Sequence, residues 1–452
     1  MNQSQASLNL GYIVLISLVA AFGGFLFGYD TAVVSGAIGF LRQHFQLTAD
    51  LTGWAASSVL VGCMFGAMFG GPLGDRIGRK PGLILCAAVF LASSVASAVP
   101  ASLGAFAWAR FFGGLAIGAA SILSPIYIAE IAPERIRGRL VGLYQLAIVT
   151  GILAVFFVNL QVQRLGDEAW NVSMGWRWMF ASLALPSVLF AGLMALVPES
   201  PRWLMKAGRR EAAKGVLERV GGRENAAREM GEIERALGEE GGRWGELFQG
   251  GYGRALLVGS LLAVFSQLSG INAIMYYGPE VFKAAGAGQD AAFVQTVTVG
   301  VINLAFTFVA IGFVDRAGRK PLLVVGTGVQ MLAHAWVGWC FYSGRKDSLL
   351  LAGILVFVAA FAMAMGPVSW IVNAEIFPTK LRARAMAVSI FLLWLACYVV
   401  SQTFPMLLEA IGPAKTFWVY GGFSLLSLLF VLGMVPETKG RTLEQIQASW
   451  KR

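Results

Sequence analysis

Asp75-Arg-Ile-Gly-Arg-Lys80 returns as Asp315-Arg-Ala-Gly-Arg-Lys320, 240 residues further on. Two other stretches recur at almost the same distance. Glu130 and Arg137, in AEIAPERIRGR, return as Glu375 and Arg382 in AEIFPTKLRAR, an offset of 245. Pro198-Glu-Ser-Pro-Arg202 has a counterpart in Pro436-Glu-Thr-Lys-Gly440, an offset of 238. Three motifs displaced by nearly one distance indicate two halves derived from one duplicated unit. What lies between the motifs decides what kind of unit it is.

Those intervals are apolar. Hydrophobic residues make up 57% of the 452 and charged residues 13%, whereas soluble domains carry about a quarter charged. A water-soluble globule of this length cannot easily cover its surface with so few charges. The apolar content excludes disorder, and no Gly-X-Y period supports a collagen-like chain. Stretches able to cross a hydrocarbon core of about 30 Å fall near 12–38, 51–73, 82–99, 105–128, 139–160, 177–197, 254–282, 291–313, 321–342, 350–376, 385–408 and 415–435. The expected fold is therefore an all-α membrane protein, with twelve transmembrane helices in two pseudo-symmetric six-helix bundles. Parallel halves of this kind are a known transporter architecture, with substrate held between them near the midplane. The divisions expected are a bundle over 1–198, a linker over 199–253, a second bundle over 254–436 and a tail over 437–452. Within the linker, Arg209–Val220 and Glu224–Leu237 read as short amphipathic cytoplasmic helices. They serve either as a solvated connection or in gating.

The net charge of +10 would point to nucleic acid in a soluble protein, but its distribution points elsewhere. Of the 35 Lys and Arg, seven (Arg42, Arg164, Arg177, Lys283, Arg345, Lys346, Lys415) fall on one side of the membrane, and Arg110 lies within a span. The others fall on the opposite side. This positive-inside pattern places both termini in the cytoplasm of an integral membrane protein. Its surroundings are the lipid bilayer; no nucleic-acid partner is expected. The apolar stretch from Gly11 is too long for a signal peptide and leads straight into more spans.

Cys63, Cys86, Cys340 and Cys397 all lie in apolar runs without metal-ligand spacing and read as small packing residues. His44 reads as a loop residue and His334 as a helix-borne polar group; neither carries a functional assignment. No Gly-Lys dipeptide occurs, so there is no Walker A loop. No nucleophile–base or metal set appears, so neither an enzyme nor a cofactor is expected. Gly62, Gly66 and Gly70, like Gly114 and Gly118, form small-residue faces suited to close helix packing. Asn171-Val-Ser has the form of a glycosylation sequon in an outer loop.

GGPLGDRIGRK (70–80), RFFGG (110–114), PESPRWL (198–204), QLSGIN (267–272), DRAGRK (315–320), GPVSW (366–370) and PETKGRT (436–442) occur in this order. Together they resemble the sugar porters of the major facilitator superfamily, over nearly the whole chain. The pattern is most similar to the bacterial xylose–proton symporters, and the resemblance implies the major facilitator fold. At the cytoplasmic ends, Asp75, Arg76 and Arg79 on one helix and Glu130 and Arg137 on another can pair across the seam. There they would hold it shut while the outer side is open. Their counterparts Asp315, Arg316, Glu375 and Arg382, with Glu199 and Glu437, complete the gating set. An exposed pair contributes about 0–1 kcal/mol, so only a network could bias the conformation. The simpler reading is that these charges anchor loops.

Asp30, in GGFLFGYDTAVV, and Arg110, in AFAWARFFGG, lie well inside apolar segments. A charge at a helix centre costs about 2.5–3.5 kcal/mol on insertion scales, and the opposite signs suggest that the two face each other. The resemblance matches Asp30 to the protonatable aspartate of the proton symporters and Arg110 to its partner. Similar facilitators tend to carry a neutral residue there. A carboxyl whose distance from a guanidinium changes with conformation takes up a proton in one state and releases it in the other. A static pair tying two helices is the alternative.

A monosaccharide presents hydroxyls that donate and accept, and amide side chains do the same without charge. Gln145, Gln267, Asn272 and Asn303 match the family's sugar-contacting amides, although each alone could be interhelical glue. Trp370, after Gly366-Pro367, can offer its indole face or N–H. Gly270 and the Gly-Pro pair are candidate helix breaks at the site, and Tyr276 and Tyr277 resemble the extracellular gate. Ser266, Leu393 and Cys397 depart from positions where relatives tend to carry amides, while Trp394 is kept. Asn373, one turn from Trp370, is a candidate replacement contact. The expected function is proton-coupled import of a monosaccharide, pentose or hexose, by a protein acting as a monomer. A facilitative uniporter and a sugar sensor on a transporter fold are the rivals.

Overall fold

The structure, a computed structural model, describes residues 9–238, 244–248, 252–345, 348–377, 381–441 and 445. All regular structure among the described residues is helical. Hydrocarbon offers no partner to a backbone N–H or C=O, so each spanning segment must satisfy its own. The first span is one continuous rod, α1 (Leu10–Ala32) running through a helical Val33 into α2 (Val34–Phe45). It ends at a left-handed Gln46 whose N–H returns to the Arg42 carbonyl. His44 is therefore not in a loop: it lies in the last turn of α2, against Phe45 and Trp176. Basic groups there suit the helix dipole.

The next four spans are single helices: α3 (Ala49–Ile77), α4 (Arg79–Ala98), α5 (Leu103–Ile131) and α6 (Glu134–Gln163). The small-residue faces bring α3 and α5 into backbone contact, as expected. A Cβ at Gly62 would strike the Phe111 carbonyl oxygen, and one at Gly114 the Val59 oxygen. The sixth span is assembled from α7 (Glu168–Trp170), a π-helical turn over Asn171–Gly175, α8 (Trp176–Ala181) and α9 (Ala184–Leu196). Asn171 is buried in that turn, its amide donating to the Gln163, Gly166 and Asp167 carbonyls at 2.9, 3.2 and 3.0 Å. The sequon is thus a buried structural asparagine rather than an exposed acceptor.

The linker carries α10 (Pro201–Lys206) and α11 (Arg210–Gly238), with a 3₁₀ turn at Trp244–Phe248. A non-helical Gly222 (φ 78°) divides α11 close to the gap expected between the two amphipathic stretches. These helices dock on the first half. The Asn9 N–H donates to the Val220 carbonyl at 3.0 Å, and Trp203 and Lys206 both bond Asp75.

In the second half the seventh span breaks at Gly270 (φ 84°) into α12 (Tyr252–Leu268) and α13 (Ile271–Ala284). α14 (Gln289–Ala317) and α15 (Arg319–Tyr342) follow. The tenth span also breaks, but at Ala364, between α16 (Ser348–Met363) and α17 (Met365–Ile376), rather than at the Gly-Pro pair. Pro367 sits in the first turn of α17, where its missing N–H costs no helical bond. α18 (Arg382–Met434) has 53 residues, about 80 Å at 1.5 Å per residue. No bilayer accommodates that as one crossing. Gly412 (φ 78°) followed by Pro413 turns it into the two legs read from the sequence as the last two spans.

The halves meet at the ends remote from the repeated motifs. Gln402 donates to the Asp50 carbonyl at 2.9 Å and accepts from Ser57 at 2.8 Å. Arg164 forks onto Asp290 at 2.6 and 2.9 Å. Phe40 stacks near Phe293, with ring centroids 6.3 Å apart.

Candidate functional site

Asp30 and Arg110 do face each other. One guanidinium nitrogen of Arg110 donates to the Asp30 carboxylate, and the other donates to the Asp30 carbonyl at 2.8 Å. Both side chains are sealed from solvent, at 0% and 1% exposure, so the pair joins α1 to α5 in a dry interior. Phe180 lays its ring 5.2 Å from the guanidinium carbon. The second carboxylate oxygen of Asp30 points toward Gly113 and is buried without a hydrogen-bond partner, as is Nε of Arg110. A buried polar atom left unpaired is costly, and this pair leaves two of them.

Two of the four amides, Gln267 and Asn272, lie on the broken seventh span. Asn272 donates to Gln267 at 2.5 Å and to the Cys397 sulfur at 3.1 Å, and Gln267 donates to Ser266 at 3.0 Å. Tyr276 places its hydroxyl 3.9 Å from the same sulfur. Cys397, a free buried thiol, thus serves as a weak polar partner of Asn272, a role its apolar sequence context does not signal. Cys63, Cys86 and Cys340 are likewise buried. Leu393 is buried beside Trp394. The Trp394 indole N–H is buried with no partner, and its ring lies 5.4 Å from Phe27 of α1.

Asn303 is buried on α14, while Gln145 on α6 and Trp370 on α17 are partly buried; no bond joins these three to the Gln267–Asn272 cluster. Asn373 is buried with its side-chain oxygen against Gly259 of α12 and unpaired. Tyr277, non-helical at φ −125°, donates to the Ser401 carbonyl at 2.7 Å and so ties α13 to α18.

At the motif ends the two halves repeat much of the same bonding pattern. Arg79 forks onto Glu130 at 3.0 Å and donates to the Gly74 carbonyl; Arg319 donates to Glu375 at 2.9 Å and to the Val314 carbonyl. Glu199 accepts the N–H groups of Arg79 and Lys80, and Glu437 those of Arg319 and Lys320. Ser200 bonds Glu130, and Thr438 bonds Glu375. Arg137 and Arg382 each donate to the carbonyl five residues back. Asp75 and Arg76 end α3 whereas Arg79 opens α4, and Glu130 ends α5 whereas Arg137 lies on α6. Each set is thus split over two helices rather than sharing one helix end as expected; the acid–guanidinium pairs shown at the motif ends run within a half. Helix ends adjacent in one bundle are close whatever the halves do. Asp75 pairs with Arg79 and with Lys206 of the linker. Arg76 and Arg316 are exposed, and the side chain of Asp315 lies outside the described residues.

A family model described as sugar (and other) transporter matches residues 16–450. The chain is 43% identical over 444 residues to an arabinose-proton symporter of Bacillus subtilis (strain 168), covering 98% of this chain and 96% of the relative. It is 42% identical over 475 residues to a D-xylose-proton symporter of Escherichia coli (strain K12), with the same coverage of 98% and 96%. The xylose transporter XylE from E. coli, solved in an inward open conformation, superposes with a TM-score of 0.87 at 40% identity, covering 97% of this chain and 100% of that one.

Proposed function

This chain belongs to the sugar transporter family, and from that premise we propose that it carries a pentose or hexose into the cell together with a proton by alternating access. The observation that carries the reading is the buried Asp30–Arg110 pair, with one carboxylate oxygen left unpartnered. Protonation neutralises Asp30 and frees Arg110. Return of the guanidinium expels the proton. Gln145, Gln267, Asn272, Asn303 and Trp370 bind the sugar between the halves, and Tyr276 and Tyr277 close the outer entrance.

The orientation follows from the charge distribution, with both termini and the repeated motifs in the cytoplasm of a bacterial inner membrane. The halves are 1–198 and 254–436, joined by the linker 199–253, with 437–452 as a tail, and the protein works as a monomer. Contacts at the outer ends, Gln402 with Ser57 and Arg164 with Asp290, mark the outer side as closed. Asp75, Arg79, Glu130, Arg137, Glu199, Glu375, Arg382 and Glu437 brace the cytoplasmic ends of each bundle, and Arg76, Asp315 and Arg316 belong to the same gating set. In gating they keep each bundle rigid as the two separate. The relatives transport arabinose and xylose by their names, and a sugar of that size suits this amide set.

Proton coupling is tested on the unaltered protein. Addition of D-xylose or arabinose to weakly buffered, de-energised proteoliposomes should make the outer medium alkaline as protons follow sugar inward. Sugar entry without any pH change would establish the facilitator reading instead.

A further inference from the structure

The break in the seventh span takes its helical partner from the Ser269 carbonyl. In an unbroken helix the Ala273 N–H would bond the Ser269 oxygen; here it bonds Gly270 at 3.0 Å. An unpaired carbonyl inside a membrane protein is costly. His334, on α15, takes the vacant place, with Nε2 2.9 Å from the Ser269 oxygen. A carbonyl only accepts, so Nε2 carries the proton, and Nδ1 is buried without a partner. The imidazole is 1% exposed and set among Phe357, Phe417 and Tyr420, with ring centroids 4.2, 6.0 and 6.1 Å away. Tyr420 closes over the break itself: a Cβ at Gly270 would lie 2.8 Å from its ring.

Ser269 stands two residues after Gln267 and three before Asn272, whose side chains bond each other across the break at 2.5 Å. We propose that His334 is a positioning residue of the sugar site. Its Nε2–H holds the Ser269 carbonyl and thereby fixes the angle at which α12 and α13 present Gln267 and Asn272. This rests on the reading of those two amides as sugar contacts. His334 does not touch the sugar and takes no part in proton coupling. The aromatic rings fix the plane of the imidazole, so the donor is preset before sugar arrives.

The test compares His334→Leu, which removes the donor at similar volume, with His334→Gln, which returns an amide N–H at similar reach. Gln267→Ala is measured alongside. Affinity for the better bound of D-xylose and arabinose is measured by calorimetry on purified protein, and the pH dependence of uptake in proteoliposomes. His334→Leu should weaken binding about tenfold, the loss of one buried polar partner, and His334→Gln should stay near wild type. The pH dependence should be unchanged in both. Wild-type affinity in His334→Leu, or equal losses in the two variants, overturns the proposal when Gln267→Ala does weaken binding. Wild-type affinity in Gln267→Ala removes the amide site itself. A second readout needs no variant that could misfold. The chain has two histidines, so 15N-histidine labelling gives two imidazoles to resolve. The buried one should be the Nε2–H tautomer both without sugar and at saturation. An Nδ1–H tautomer in either state contradicts the role.

Discussion

Glu437 repeats the bond that Glu199 makes in the other half: each carboxylate accepts the first two N–H groups of a helix, α15 and α4 respectively, just after a glycine at positive φ. The helix N-terminus supplies unpaired donors and a partial positive charge, so a carboxylate is the natural cap. The glycine is required twice over. Gly78 (φ 105°) and Gly318 (φ 91°) occupy backbone conformations that L residues rarely adopt, and a Cβ on either would meet the capping carboxylate.

Gly78→Ala and Gly318→Ala should therefore each destabilise the protein by about 1–3 kcal/mol from backbone strain alone. The Gly78 variant should lose more, because Glu199 sits closer to the added carbon than Glu437 does. Thermal unfolding in detergent checks both. Unchanged midpoints would show that the corners relax without cost.

The same two carboxylates should respond oppositely to pH. Burial pushes Glu199 up, only partly offset by the N–H groups of Ser200, Lys80 and Arg79. Burial also opposes ionisation of Glu437, but there the N–H groups of Lys439, Arg319, Lys320 and Thr438 outweigh it and hold the carboxyl low. A lowered carboxyl stabilises the fold above its unfolded value and loses that contribution as pH falls through the folded one. A raised carboxyl contributes below its unfolded value and loses the contribution as pH rises through the folded one. Glu437→Gln should thus be less stable than wild type near neutrality, with the gap closing in acid. Glu199→Gln should match or exceed wild type near neutrality and gain nothing in acid. Unfolding midpoints across about pH 4 to 7 decide this.

Gly114→Val places a branched side chain where α5 meets the Val59 carbonyl of α3. Overpacking of this kind costs about 1–3 kcal/mol, occasionally more. A lowered unfolding midpoint and poor recovery of folded protein are expected. Wild-type recovery would mean that the two helices are not in backbone contact.

Gln145→Ala and Gln267→Ala should each weaken sugar binding about tenfold, in line with about 1–3 kcal/mol for stranding a polar partner. Calorimetric titration with D-xylose and arabinose checks this. Wild-type affinity in both would place the sugar elsewhere.

The architecture was legible because it is written twice. Arg79 and Arg319, Glu130 and Glu375, Glu199 and Glu437 keep their spacing since each set closes the same corner of a duplicated bundle. Asp30 and Arg110 were legible because charge is expensive in a span. Spacing could not say whether Arg79 bonds within its half or across the seam, since both partners lie at the same ends of the bundles either way. Cys397 stood out as a departure from the family's amides, but its bond to Asn272 was not legible, because a thiol in an apolar run looks like packing. His334 escaped for a related reason: the carbonyl it satisfies is vacant only because the backbone breaks at Gly270. The break in the tenth span moved to Ala364 because a proline is tolerated in the first turn of a helix and need not mark its end.

Asp30→Asn tests the central claim most directly. The substitution keeps the shape of the side chain and removes its proton chemistry. In proteoliposomes, sugar accumulation driven by a pH gradient should disappear, while exchange of labelled sugar at equilibrium continues. Uphill accumulation at the wild-type level in Asp30→Asn would contradict proton coupling through this pair.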